Sequence, residues 1–526
     1  MNASILTWLT FLPAAGAVVV LLLPRRGRAP QVFSLLLTLF LFVMALHLPA
    51  HFNYQQQQGF QFELNIPWIS NPAIQYHVGV DGLSMWLVVL VSFLAPLGVL
   101  ISWRVIQDRT REFYALLLLQ QTAMYGVFVA LDLILYYAFW ELSIVPLALL
   151  IGMYGRKNGR GAAIKFFLYA FIPSALLLVG MLWLYGQTGT FDLVQLQQQM
   201  HHWNGVHATG LWLTSLAFLL AFAVKVPVFP LHGWLRDGIS EAPTAVAMIL
   251  AGKLGLYSLL RWHVGLFPTQ AAHIAPLMVT LGAVGILYGA LMALVQTDLK
   301  RLAAYATLSA VSFIVLGIYA FTAASMDGAA YQILNESISA SAFFMLLGIL
   351  YERYGTYDMG QLGGIATKMP GLAALFVITT LSLIGLPSLN VFVGEFLILS
   401  GSFQTHPGVA SAATVGVILS ASYMLWMVQR VFYGQPSTSV AAVSVRDVNW
   451  RERAAVWPTI ALMIAMGVAS IFWMRAIDLT VAKMAAAEEL ALFGPNADTF
   501  IQLVHDREIQ LKSRATSDAT TQGVAR

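Results

Sequence analysis

Four ionisable side chains lie where the sequence supplies no water. Lys225 falls inside the apolar run 211–230 (LWLTSLAFLLAFAVKVPVFP), directly before Pro227 and Pro230. Glu141 lies in YYAFWELSIVP, Glu395 in IGLPSLNVFVGEFLIL and Lys253 in MILAGKLGLYSLL. Each costs roughly 2.5–3.5 kcal/mol to place at bilayer depth on insertion scales. The four together cost on the order of 10 kcal/mol, comparable with the stability of a whole domain. A requirement other than stability therefore keeps them. In a low-dielectric interior a carboxylate beside an ammonium has its charged form favoured, and either group alone has it disfavoured. Moving one charge thus changes the proton affinity of the next, which is the chemistry of a proton relay. His232, in FPLHGWL, is a further candidate for proton uptake or for capping backbone.

Helices must hold these groups at depth. Of the 526 residues, 59% are hydrophobic and only 10% charged, against about 25% charged in a soluble domain. Helix-length apolar runs recur from end to end, which predicts an all-α integral membrane protein. The expected spans are 4–23, 31–49, 83–103, 113–131, 133–153, 163–186, 210–231, 243–262, 274–296, 301–322, 329–351, 371–403, 408–433 and 455–474, about 14 in all. Basic residues follow the odd spans: Arg25, Arg26 and Arg28; Arg104, Arg109 and Arg111; Arg156, Lys157 and Arg160; and so on to Arg446, Arg451 and Arg453. Loops 50–82, 187–209 and 323–328 contain no lysine or arginine, and only Arg261 and the tail break the alternation. By the positive-inside rule both termini face outward.

Two spans interrupt themselves. Pro227 and Pro230 remove amide protons beside Lys225, and Gly385-Leu386-Pro387, followed by Ser388 and Asn390, does the same before Glu395. Broken helices in corresponding places indicate two inverted repeats with an ion site at the breaks. The expected organisation is 1–112 as the first three helices, 113–262 and 274–433 as the repeats, 455–474 as the last span, 475–506 as an amphipathic C-terminal helix and 507–526 as a disordered tail. Freed backbone groups at depth need protein or water, so each break predicts a hydrated pocket.

Composition also excludes chemistry. With no cysteine there is no disulfide, thiolate-held cluster or thiol nucleophile, and the eleven histidines show no paired ligand spacing. A net charge of +4 reflects loop topology and gives no reason to expect nucleic acid. No cofactor or metal is expected in the chain.

The segments HVGVDGLSMWLVVL (77–90), FWELSIVPLALLIGMYG (139–155), KVPVFPLHGWLRDGISEAPTA (225–245), QTDLKRLAAYATLS (296–309), YERYGTYDMGQLGG (351–364), SLIGLPSLNVFVGEFLIL (382–399) and YMLWMVQRVFYG (423–434) resemble subunit M of bacterial NADH-quinone oxidoreductase, respiratory complex I. The wider family includes hydrogenase-complex membrane subunits and Mrp-type cation/proton antiporters. The resemblance implies a chain that translocates protons within a membrane arm, beside other membrane subunits, with FMN, iron–sulfur clusters and quinone in partner subunits. It implies that Glu141 pairs with Lys225, that Lys253 is the central relay and that Glu395 is the terminal proton site.

Three departures fall on that relay. The family's LAGVLLKLG is LAGKLG at 250–255, which brings Lys253 three residues closer to Pro243. That shift rotates the lysine by roughly 60° and moves it by about 4.5 Å. The histidine of SVSHMGF is Ala310 in TLSAVSF, and SHG becomes Asn335-Glu336-Ser337, so Glu336 stands where a histidine is expected. The alternatives are an Mrp-type antiporter or hydrogenase-complex subunit, and a structural spacer with a degraded relay. Lys165, Asp81 and the group Asp298, Lys300 and Arg301 have simpler readings as an interface anchor, a helix-start carboxylate and solvated helix-end charges.

Overall fold

The structure is a computed structural model that describes residues 4–24, 27–55, 59–200, 208–250 and 253–493. Arg25, Arg26 and the tail expected at 507–526 lie outside the described residues. Helices α1 (Ile5–Leu22), α2 (Ala29–Ala45) and α3 (His47–His51) lead into strands β1 (Gln61–Ile69) and β2 (Ile74–Val80). Then come α4 (Gly82–Ser102), α5 (Thr110–Val129), α6 (Leu133–Leu142), α7 (Ile144–Tyr154), α8 (Gly159–Thr188), α9 (Leu193–Met200), α10 (Ala208–Lys225), α11 (Gly233–Glu241), α12 (Thr244–Ile249) and α13 (Lys253–Ser258). The second half holds α14 (Pro268–Leu294), α15 (Leu299–Tyr319), α16 (Ala323–Tyr354), α17 (Pro370–Leu383), α18 (Asn390–Thr405), α19 (Pro407–Val428), α20 (Thr438–Ala442), α21 (Trp450–Val468) and α22 (Ile471–Phe493).

Among the described residues, eleven helices are long and apolar enough to cross a membrane, or twelve with the bent pair α21 and α22 taken as one span. The expected fourteen is not confirmed by length and composition. Arg111, Glu112, Gln120 and Gln121 dilute α5, and α17 and α18, at 14 and 16 residues, each fall short of the about 20 a span needs. The peripheral helices turn apolar side chains outward, as at Leu22, Val43 and Val179, where lipid is the only favourable solvent. The central α16 is buried along its hydropathic core.

Two backbone bridges match between the halves of the chain. Leu133 N donates to Phe191 O and Leu193 N to Leu131 O, while Leu299 N donates to Tyr357 O and Met359 N to Thr297 O. These make the bridges Asp132 to Asp192 and Asp298 to Asp358, with the same sequence offset between corresponding members. Five crossing elements separate the two bridges, so they close opposite faces of the bundle.

The antiparallel hairpin β1–β2 departs from the all-helical expectation. Its anchor is His77, whose Nδ1 meets the Asp192 carboxylate and whose Nε2 lies 2.8 Å from Glu63 Oε1. Burial opposes the imidazolium, but the bonds to Asp192 and Glu63 and their attraction outweigh it, raising the His77 pKa above the ordinary 6.5. The ring satisfies both carboxylates only when doubly protonated. Because the folded value is raised, this stabilisation is fully present below pH 6.5 and is lost as pH rises through the folded value. Hydrogen exchange at the amides of 61–80, corrected for intrinsic base catalysis, should therefore speed up across that window in the wild type and lose its pH dependence in His77→Phe. Protection that does not vary with pH in the wild type would contradict this.

The C-terminal segment also differs from expectation. The last span ends at Val468, and α22 begins at Ile471 after a 68° bend. It folds back over the start of α4: Gly82 N donates to Thr480 Oγ1 at 3.1 Å, and a Cβ at Gly82 would collide with the Ala476 carbonyl. This helix is therefore held against the bundle itself.

Candidate functional site

Lys225 is the last residue of α10, left at the break because Pro227 donates no amide proton. The Trp234 indole donates to Val224 O at 2.7 Å, so protein closes one of the freed carbonyls. The ammonium is buried and donates to Ser143 Oγ at 2.7 Å and to Trp140 O at 3.4 Å. It also lies 3.8 Å from the centroid of the Trp140 ring, a cation–π contact that partly replaces lost hydration. Ser143 reaches it because α6 and α7 meet there. Glu141, two residues earlier, attracts Lys225 electrostatically but forms no ion pair with it within 4.0 Å. Its Oε1 is buried without a hydrogen-bond partner. The direct pair implied by the resemblance is thus open, and Ser143 and Trp140 occupy the ammonium instead.

Lys253 follows by packing. Gly255 faces the α10 break so closely that a Cβ there would lie 2.7 Å from Val226 Cγ2 and 2.9 Å from Val226 N. Only glycine permits that approach, which sets Lys253 two residues from the contact. The rotation expected from the three-residue shift depends on residues 251 and 252, which lie outside the described residues. The Lys253 side chain points inward, 1% exposed, with Nζ donating to Met248 O at 2.9 Å.

Glu336, on α16, is buried and is an electrostatic partner of both Lys253 and Glu395. Ala310, on α15, leaves a cavity of about 30 Å3 lined by Glu336, Glu395, Thr307, Ser420 and Tyr423. One water needs roughly 10–15 Å3 by the same measure, so two or three fit in it. The second break supplies the far wall. Gly385 has φ +72°, and a Cβ there would lie 2.8 Å from Glu395 Oε2. Asn390 ties the break to the relay helix: Oδ1 accepts from Ser382 Oγ at 2.7 Å, and Nδ2 donates to Asn335 O, next to Glu336, at 3.0 Å. Pro387 lies in this break, between α17 and α18.

The structure therefore brings Lys253, Glu336 and Glu395 into one electrostatic sequence, with Glu141 and Lys225 beside the first break. His232 stands apart. It precedes α11, its ring packs on Phe229 and Tyr288, and the charges it feels are Arg236 and Lys165. Lys165 pairs with Asp237 at 2.7 Å. Asp81 caps α4 as expected, in a capping box with Ser84.

Sequence reasoning missed three buried groups. Lys300, expected in a solvated loop, is 2% exposed and donates to Ala242 O; Asp298 caps α15 through Arg301 N and so turns Lys300 inward. Arg261, the exception to the loop-charge alternation, is buried and paired with Asp81. His263 lies between Ser215 Oγ at 3.1 Å and Tyr319 OH at 2.9 Å.

Residues 130–420 match the family described as NADH:quinone oxidoreductase/Mrp antiporter, TM. NADH-quinone oxidoreductase subunit M of Rhodobacter capsulatus is 37% identical over 481 residues, 88% of this chain and 93% of that one. The subunit M of Escherichia coli is 37% identical over 88% of this chain and 94% of its own length. Among solved structures, a chain of respiratory complex I from Thermus thermophilus superposes with a TM-score of 0.83 at 29% identity, covering 93% of this chain and 100% of that one. A chain of the Mrp complex from a Dietzia species shares the fold alone, with a TM-score of 0.80 at 19% identity over 94% and 99% of the two chains.

Proposed function

The chain belongs to the NADH:quinone oxidoreductase/Mrp antiporter family of membrane subunits, and from that membership we propose that it translocates protons in the membrane arm of a complex I type NADH-quinone oxidoreductase. The observation that carries the reading is Glu336, which couples to Lys253 on one side and Glu395 on the other and shares a water-sized cavity with Glu395. A neighbouring subunit changes the Glu141–Lys225 arrangement, the altered charge displaces a proton from Lys253 to Glu336, Glu395 releases one outward and takes the proton of Glu336 in its place, and Lys253 is reprotonated from the opposite side. Each step moves one proton between named groups and leaves the chain in its starting charge state after reprotonation. Redox chemistry on flavin, iron–sulfur clusters and quinone falls to partner subunits, and the chain spans a bacterial inner membrane with both termini outside. The absence of cysteine supports the first point, and the basic loops after odd spans support the second.

The rival reading is exchange of a cation for protons. In proteoliposomes containing the intact assembly, electron-transfer-driven proton movement should proceed in sodium-free buffer at the same ratio as with sodium present. A strict sodium requirement, with sodium moved in step with electrons, would overturn the proposal.

A further inference from the structure

One stripe of α16 is polar although the helix runs through the middle of the bundle. Gln332 is followed at three, four and seven residues by Asn335, Glu336 and Ser339, spacings that place all of them on one helix face. None is more than 4% exposed. Polar groups at that depth need hydrogen-bond partners, and the second break supplies them. Ser339 Oγ lies 2.9 Å from Ser382 Oγ, in the last turn of α17. Asn390 Oδ1 accepts from Ser382 Oγ at 2.7 Å and from Ser339 Oγ at 3.2 Å, while its Nδ2 donates to Asn335 O at 3.0 Å. One side chain, fully buried, therefore joins α16, α17 and α18.

The place of this knot matters more than its strength. Asn335 directly precedes Glu336, and Asn390 opens α18 five residues before Glu395, about 7.5 Å along the helix. The amide thus grips the backbone beside one carboxyl and starts the helix that carries the other. The connection from α17 to α18 does not set that geometry by itself: Gly385 has φ +72° and Ser388 has φ +79°. A serine keeps such a conformation only where its surroundings impose it, and the bonds of Asn390, two residues later, are part of those surroundings. The side chain must be short and must both donate and accept. Aspartate lacks the donor, and leucine has neither function.

We propose that Asn390 is a positioning residue for the proton transfer between Glu336 and Glu395, fixing their separation across the second break. The inference rests on the translocation reading above. Asn390 carries no proton itself; it holds α18 at one angle to α16, so that the two carboxyls face the cavity they share.

Asn390→Leu keeps a branched side chain and removes all of these bonds. In the assembled complex it should leave electron transfer to an artificial acceptor unchanged and lower the proton-to-electron ratio. Misplacing a reacting group by about 1 Å can cost on the order of 100-fold in rate, so translocation through this chain should fall at least about tenfold. The infrared carbonyl stretch of the protonated carboxyl, assigned by its loss in Glu395→Gln, should shift in the same variant. Ile398→Val, which trims a fully buried side chain of α18 outside the knot, should change neither. If Asn390→Leu does not assemble, Ser339→Ala combined with Ser382→Ala removes both hydroxyls from the knot and is held to the same expectations. A carbonyl stretch that stays in place, or a loss of translocation no greater than that of Ile398→Val, makes Asn390 a structural residue and overturns the inference. When Glu336→Gln lowers the ratio and Asn390→Leu does not, the positioning role fails and translocation stands. When Glu336→Gln itself leaves the ratio unchanged, the translocation reading fails and the positioning role falls with it.

Discussion

Replacing Lys225 with alanine is expected to remove this chain's share of proton translocation from the assembled complex while electron transfer to an artificial acceptor continues. The ammonium is what Glu141 acts on, and no other cation stands at the α10 break to replace it among the groups that Glu141 perturbs. A coupling worth one pH unit is about 1.4 kcal/mol, a factor of ten, so the loss through this chain should be at least about tenfold. Alanine also leaves Ser143 Oγ without the ammonium it accepts from, a structural cost of about 1–3 kcal/mol. Lys225→Arg separates the two effects. Arginine keeps the positive charge but does not release a proton in proteins, so a charge that acts by its position would survive the change and a proton carrier would not. The expected result is that Lys225→Arg assembles and retains proton translocation that Lys225→Ala loses. A loss in Lys225→Arg as complete as in Lys225→Ala would show that Lys225 itself carries the proton.

The sequence carried more of the site than of the fold that surrounds it. Lys225, Lys253 and Glu395 were legible because each violates the insertion cost locally, within one apolar window. The breaks were legible because proline and glycine act on their own and neighbouring residues. The orientation of Lys253 was not, since it depends on Gly255 docking against Val226. Arg261 and Asp81 lie 180 positions apart, and His77 and Asp192 115 apart, so no window shows either pair. Lys300 reads as a surface cation because a basic dipeptide at a helix start is normally one; the Ala242 carbonyl that receives it belongs to another segment. The hairpin was hidden for a similar reason, since its strands are held by His77 to a loop more than a hundred residues away.

The largest remaining effect is expected at Glu336. By the resemblance, Ala310 removes a titratable side chain from α15, and Glu336 puts a carboxylate in place of a histidine on α16; Ala310 and Glu336 line the same cavity. If the relay had decayed into a spacer, Glu336 would be a buried charge costing stability with nothing in return. Glu336→Gln keeps the shape and removes the charge, which disconnects Lys253 from Glu395 and should reduce translocation through this chain as far as Lys225→Ala does. Adding Ala310→His to Glu336→Gln places a proton-carrying ring in the cavity beside Glu395. Some crowding is expected, at about 1–3 kcal/mol for an overpacked site, yet part of the lost translocation should return.

The decisive measurement is the proton-to-electron ratio of the purified, assembled complex in proteoliposomes for wild type, Glu336→Gln, and Glu336→Gln combined with Ala310→His. A connected line through Glu336 predicts a lowered ratio in the single variant and a partial recovery in the double one. A ratio in Glu336→Gln equal to that of the wild type would contradict it.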